Sequence, residues 1–195
     1  ARAEGYDVET VVTVVDDKAH YYPGAGSFIV KLTADKATRK LLGVQVLGAG
    51  AVDKITDIGV TAISLGATVD QLAVMDFAYA PPFSTAIHPF AHSVNILMNK
   101  LDGELETLTP AEFAAGAAEG YEIIDCAIEP SLPGKKYLNL TKVDGEVPGL
   151  GREDKLLLVC AKGKRAYLTQ NRLKFYGYVN TRVLEGGTTF NEIEE

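Results

Sequence analysis

Cys160-Ala161-Lys162-Gly163-Lys164-Arg165 is the stretch of this chain best equipped for chemistry. It brings a nucleophile, two ammoniums and a guanidinium into one short loop. The reactive form of cysteine is the thiolate. Nearby cations and inward-facing amides lower its pKa from ~8.5 toward the range of reactive thiols. Leu156-Leu157-Leu158-Val159 comes just before, a continuous apolar run that reads as a buried parallel strand. After Arg165 a helical period through Ala166, Thr169 and Leu173 runs to Gly177, a C′ glycine. Strand, loop and helix together would deliver the Cys160 sulfur to a strand's carboxyl end and a helix N-terminus, where α/β sheets hold their ligands.

Two plainer readings stand beside this one. Free cysteine is among the most buried residue types, so Cys160 also reads as a structural thiol at a strand end. The loop also invites comparison with the phosphate-binding loops of protein phosphatases, which place one residue more between Cys and Arg than the four here. A shorter loop makes a smaller cradle, better suited to a single sulfane sulfur than to a phosphate.

The 195 residues allow one large domain or two small ones, and nearly half are apolar. A formal charge of −7 argues against a nucleic-acid or anionic-membrane partner. Cys126 and Cys160 are the only cysteines and lack metal-ligand spacing, so no disulfide framework is implied. A reducing compartment, the cytoplasm, is the default. No apolar run approaches the ~20 residues of a membrane span. The Ala1-Arg2-Ala3 start has neither Met nor a signal-peptide core, and reads as a cut within a longer protein.

In chain order, Tyr6 to Val15, Ser27 to Leu32 and Leu41 to Leu47 read as strands of an antiparallel meander. Gly48-Ala49-Gly50 lacks the third glycine of a dinucleotide fingerprint and reads as a strand-to-helix turn. Val52 to Leu65 reads as a helix, and Thr68 as the N-cap of a short second one. Pro81 and Pro82 are expected to hold the backbone extended, fixing Tyr79 on a stiff segment. Tyr79 reads either as a positioned hydroxyl or as a buried loop aromatic. An amphipathic helix follows from Ala86 to Lys100, with His88-Pro89 at its start. His88 reads as an acid/base group working near neutral pH or as a solvated histidine. His92 would share its helix face, but with no third ligand the two make no metal site. The polar stretch Asp102 to Thr109 marks the domain boundary, and Thr109-Pro110-Ala111-Glu112 reads as a capped helix start.

The second half resembles a rhodanese domain. Cys160-Ala161-Lys162-Gly163-Lys164-Arg165-Ala166 is similar to the family loop Cys-x-x-Gly-x-Arg-Ser/Ala. Glu122-Ile123-Ile124-Asp125 resembles the family strand ending in Asp, and Leu132-Pro133-Gly134 its His-Ile-Pro-Gly turn. Val183-Leu184-Glu185-Gly186-Gly187 resembles the Leu-x-Gly-Gly ending. Ala127 stands where the family carries Arg after Asp-Val, and Ser131 replaces the His.

The first half, about Val8 to Leu101, resembles the dimerisation domain of FAD-dependent pyridine nucleotide-disulfide oxidoreductases. The segments that carry the likeness are Tyr21-Tyr22-Pro23-Gly24-Ala25, Leu42-Gly43-Val44-Gln45-Val46-Leu47-Gly48 and Tyr79-Ala80-Pro81-Pro82-Phe83-Ser84. Within that superfamily it looks most like the coenzyme A-disulfide or persulfide reductases that carry a C-terminal rhodanese. The resemblance implies that Tyr21 and Tyr79 reach the partner subunit's active site and assist a cysteine that exchanges with CoA. His88-Pro89 departs from that group toward the His-Pro of glutathione reductase-like members. Val52-Asp53-Lys54-Ile55 departs from the family's Lys-Arg-Ile-Asp.

The expected architecture is an α+β dimerisation domain over 1–103, an antiparallel sheet with helices, followed by an α/β rhodanese-like domain with a parallel sheet over 104–195. The expected function is that of a C-terminal fragment of a CoA-disulfide, CoA-persulfide or polysulfide reductase. It would form a homodimer and act on CoA-linked or inorganic sulfane sulfur. The fragment itself would hold no cofactor and no metal; FAD, NAD(P)H and CoA are implied for the full-length protein. Cys160 would carry the sulfur, with Ala161, Lys162, Gly163, Lys164 and Arg165 binding it and Tyr21, Tyr79 and His88 assisting elsewhere. The alternative is a non-catalytic dimerisation scaffold whose degenerate rhodanese serves as a docking module.

Overall fold

A computed structural model describes residues 1–193; Glu194 and Glu195, the end of the expected second domain, lie outside the described residues. The chain forms two compact units, Ala1–Gly103 and Glu104–Glu195.

In the first unit, β1 (Val8–Asp16), β2 (Ser27–Asp35) and β3 (Leu41–Gly48) form an antiparallel sheet in that order. The register pairs Val11 with Leu32 and Leu32 with Val44, so the period-two apolar positions fall on one face. Three helices cover that face: α1 (Val52–Ser64), α2 (Val69–Ala73) and α3 (Pro89–Leu101). Ile55, Ala62, Leu72, Phe90, Val94 and Leu97 complete the core. Gly59 lets α1 lie close on β3, since a Cβ there would sit 2.5 Å from Val44 Cγ1. Buried Thr13 and Ser93 satisfy each other through a 2.7 Å hydroxyl bond between sheet and helix.

Two local expectations are corrected. The helix expected from Ala86 begins at Pro89 with His88 as its N-cap, because proline suits the first helical position and keeps its predecessor out of helix. The Pro81-Pro82 segment turns rather than extends. Phe83 and Ser84 N–H groups both donate to the Ala80 carbonyl, and the fixed proline φ serves a tight turn as readily as an extended run.

In the second unit, β4 (Thr107–Leu108), β5 (Glu122–Asp125), β6 (Lys136–Tyr137), β7 (Leu156–Val159) and β8 (Thr181–Leu184) form a parallel sheet in the order β4-β8-β7-β5-β6. Every residue of central β7 is buried, as a strand covered on both faces must be. Its helices are α4 (Pro110–Ala114), α5 (Lys164–Phe175) and α6 (Gly187–Phe190). Ala166, Thr169 and Leu173, the period read from sequence, are buried on α5, and Gln170 joins them. Thr68 and Thr109 both cap their helices with full capping boxes, closed by Gln71 and Glu112.

Candidate sulfur-handling site

Cys160 is the first residue beyond β7 and keeps 4% exposure, while Ala161, Lys162 and Lys164 are exposed. Gly163 takes a left-handed φ of +90° as the N-cap of α5. That conformation turns the chain from loop to helix within one residue, which glycine does without steric cost. The loop's carbonyls are tied away. Cys160 O accepts from Thr188 N at 3.1 Å, Ala161 O from Thr189 N at 3.0 Å, and Gly163 O from Tyr167 N at 2.9 Å. Among the described residues, the N–H groups of Ala161, Gly163, Lys164 and Arg165 have no acceptor. Free donors, two lysines and the positive end of a twelve-residue helix therefore gather where Cys160 begins the loop. Gly187 makes the closeness possible: at φ +50°, a Cβ there would fall 1.9 Å from Cys160 O.

At the neighbouring strand end, Asp125 ties down the turn that follows it. The buried Asp125 carboxylate accepts N–H bonds from Ala127 at 2.9 Å, Ser131 at 2.5 Å and Leu132 at 2.9 Å, and the Ser131 hydroxyl also reaches it. The Ser that departs from the resembled pattern thus still serves Asp125. Arg165 does not extend freely; its Nε donates to Cys126 O at 3.1 Å. Cys126 is fully buried, and burial pushes its thiol up to about 12. A hydrogen bond with Thr169 pulls the other way, and nearby Cys160 and Asp125 add to the rise. That Cys126 neighbours Cys160 is not evident from either residue's own stretch of sequence. The available signal is that the runs Ile123-Ile124-Asp125 and Leu157-Leu158-Val159 are each followed directly by a cysteine.

In the first unit the structure brings Tyr21 and Tyr79 together. Desolvation, then a hydrogen bond with Tyr21, raises the Tyr79 phenol above its ordinary value. Both rings are surface residues, 69% and 49% exposed, so Tyr79 is not a buried loop aromatic. His88 is not solvated. It is 4% exposed, stacks on Phe77 at 4.6 Å, and its Nδ1 accepts the Phe90 N–H at 3.3 Å. Burial first, and the Lys54 charge second, lower it to about 4. Near pH 7 the ring is neutral, and the engaged Nδ1 leaves its proton on Nε2. His88 lines a cavity of about 320 Å³ with Lys18, Lys54 and Phe83. Among the described residues no three His, Cys, Asp or Glu side chains gather into a metal-binding group.

Comparison with known proteins bears on each unit separately. Residues 1–91 match the family model of the pyridine nucleotide-disulphide oxidoreductase dimerisation domain, so the first unit carries that domain. An NAD-dependent persulfide reductase from A. fulgidus superimposes on 97% of this chain with a TM-score of 0.85 and 33% identity, the match covering 35% of that chain. The reduced Bacillus anthracis CoADR-RHD covers 96% at a TM-score of 0.85 and 27% identity, over 34% of its own chain. The NAD(P)H sulfur oxidoreductase (CoA-dependent) of Pyrococcus furiosus is 38% identical over 94 residues, which is 48% of this chain and 21% of that protein. The chain thus spans about a fifth of the length of the curated relatives it matches. The second unit has a rhodanese-like parallel fold, as its motifs led us to expect.

Proposed function

We propose that this chain is the pairing and sulfur-carrying part of a CoA-disulfide, CoA-persulfide or polysulfide reductase. The observation that carries the reading is the set of free N–H donors of Ala161, Gly163, Lys164 and Arg165 beside Cys160. The Cys160 thiolate attacks an S–S bond of the donor, and a new bond forms from its Sγ to the sulfane sulfur. The donor's remaining half leaves with the bonding pair. The loop amides and the charges of Lys162, Lys164 and Arg165 then stabilise the terminal sulfur anion. A cytoplasmic setting, where glutathione keeps thiols reduced, suits this chemistry.

Neither unit carries a Gly-x-Gly-x-x-Gly turn: Gly48-Ala49-Gly50 leads from an antiparallel sheet into α1, with Asp53 at the third position. The residues present therefore do not fit a dinucleotide, and the flavin and NAD(P)H steps belong to domains other than these two. Tyr21 and Tyr79 would serve the paired subunit as hydroxyl donors to a departing CoA thiolate. His88, neutral at pH 7, would donate through Nε2 rather than act as an imidazolium.

The expected result is that Cys160→Ser abolishes sulfur transfer from thiosulfate to cyanide while the melting temperature is unchanged. Equal transfer by variant and parent removes Cys160 from the mechanism. One observation favours the scaffold alternative, the 4% exposure of Cys160. Alkylation across a pH series separates the two, because a scaffold's Cys160 reacts no faster near neutral pH than free cysteine does.

A further inference from the structure

We propose that Cys126 is the resolving partner of Cys160: its thiol closes a Cys160 persulfide into a Cys126–Cys160 disulfide and expels the terminal sulfur as hydrogen sulfide. This rests on the sulfur-carrier reading above and adds a second residue to it.

The pairing of β5 with β7 carries the inference. These are adjacent parallel strands in register Asp125↔Val159, and the next residue on each is a cysteine. The ladder continues past the strand ends, since the Cys126 N–H donates to Val159 O at 2.7 Å. In-register residues on neighbouring strands lie ~4.8 Å apart, within the ~4.4–6.8 Å that disulfide-bonded Cα atoms span. Cys126 is 0% exposed, so a dissolved thiol or disulfide does not reach its sulfur. Cys160 is near enough to influence its acidity, and both thiols are free. The start of α5 lies against Cys126, with Arg165 Nε on its carbonyl at 3.1 Å, while the Cys126 thiol donates to Ile124 O at 3.6 Å.

The step balances. Cys126 Sγ attacks Cys160 Sγ, and the bond from Cys160 Sγ to the terminal sulfur breaks. The terminal sulfur departs with the electron pair as hydrosulfide and takes the proton that Cys126 gives up. The Cys126 sulfur is oxidised and the sulfane sulfur reduced. Two equivalents of a low-molecular-weight thiol then reopen the disulfide and become a disulfide themselves. Because burial holds Cys126 as the thiol, closure accelerates as pH rises above neutral.

The test uses the reduced full chain and thiosulfate as the sulfur donor. Sulfite reports uptake, sulfide reports release, and intact mass reports the product. The parent chain is expected to release sulfite, then sulfide, and to end two hydrogens lighter than its reduced form, with peptides joined through Cys126 and Cys160. Cys126→Val is expected to take up sulfur and keep it, with sulfide release at background. A parent chain that loads sulfur yet keeps the persulfide as long as Cys126→Val does overturns the resolving role and leaves the carrier reading intact. A parent chain that releases no sulfite overturns both. Should the variant fail to fold, the parent's mass alone decides between closed disulfide and lasting persulfide.

Discussion

His88 shows how far burial moves a single residue's chemistry. Its Nδ1 caps α3, its ring stacks on Phe77, and desolvation with the Lys54 charge lowers it to about 4. An unfolded histidine titrates near ~6.5, so between the two values the unfolded chain binds the proton and the folded one does not. Stability is therefore full above about pH 6.5 and is lost as pH falls toward 4, by about 1–2 kcal/mol once screening by nearby solvent is allowed for. His88→Asn keeps a capping oxygen and removes the titration. Its urea midpoint should be flatter than the parent's between pH 4 and 7, and an equal slope would assign the pH dependence to other groups. Sequence alone left His88 open between acid/base group and solvated histidine. Nothing local to His88-Pro89 announces that Phe77, on a different segment, will cover the ring.

At the scale of elements, the β7–loop–α5 unit was legible because each part has its own local signature. These are an unbroken apolar run, a short loop rich in glycine and lysine, and a helical period. What stayed hidden was pairing. The partner that sets Cys126 beside Cys160 comes from strand order, which no local pattern encodes, and the Pro81 turn is hidden because a proline φ fits two conformations. Gly187 is the element-level test. An alanine Cβ would meet Cys160 O at 1.9 Å and Ala161 O at 2.6 Å, in a backbone already at φ +50°. Gly187→Ala should cost about 2–4 kcal/mol and move the Cys160 loop. Gly116, at φ +87° with open space around it, is the control and should cost only about 1–2 kcal/mol. Thermal melts with alkylation rates at Cys160 check both, and equal losses in the two variants would show that Gly187 does nothing particular for the loop.

At the scale of the molecule, the first unit leaves an apolar segment in water. Val74, Phe83 and Ile87 are 84%, 76% and 58% exposed, with Met75 and Tyr79 near half. Within fourteen residues this is a dense run of exposed apolar side chains, the kind of surface that marks an interaction site. A two-fold pair of chains would cover it on both copies at once. Phe83→Asp should shift sedimentation toward monomer, weakening self-association by about tenfold or more. An unchanged dimer would place the pairing face elsewhere.

The parallel sheet is bordered by β4 and β6, each two residues long. Borders so brief offer almost no run of open amides on which a foreign strand could align. Fibril seeding and heat-induced clumping should therefore find little purchase on the second unit, which leaves it free to stay dispersed at high concentration.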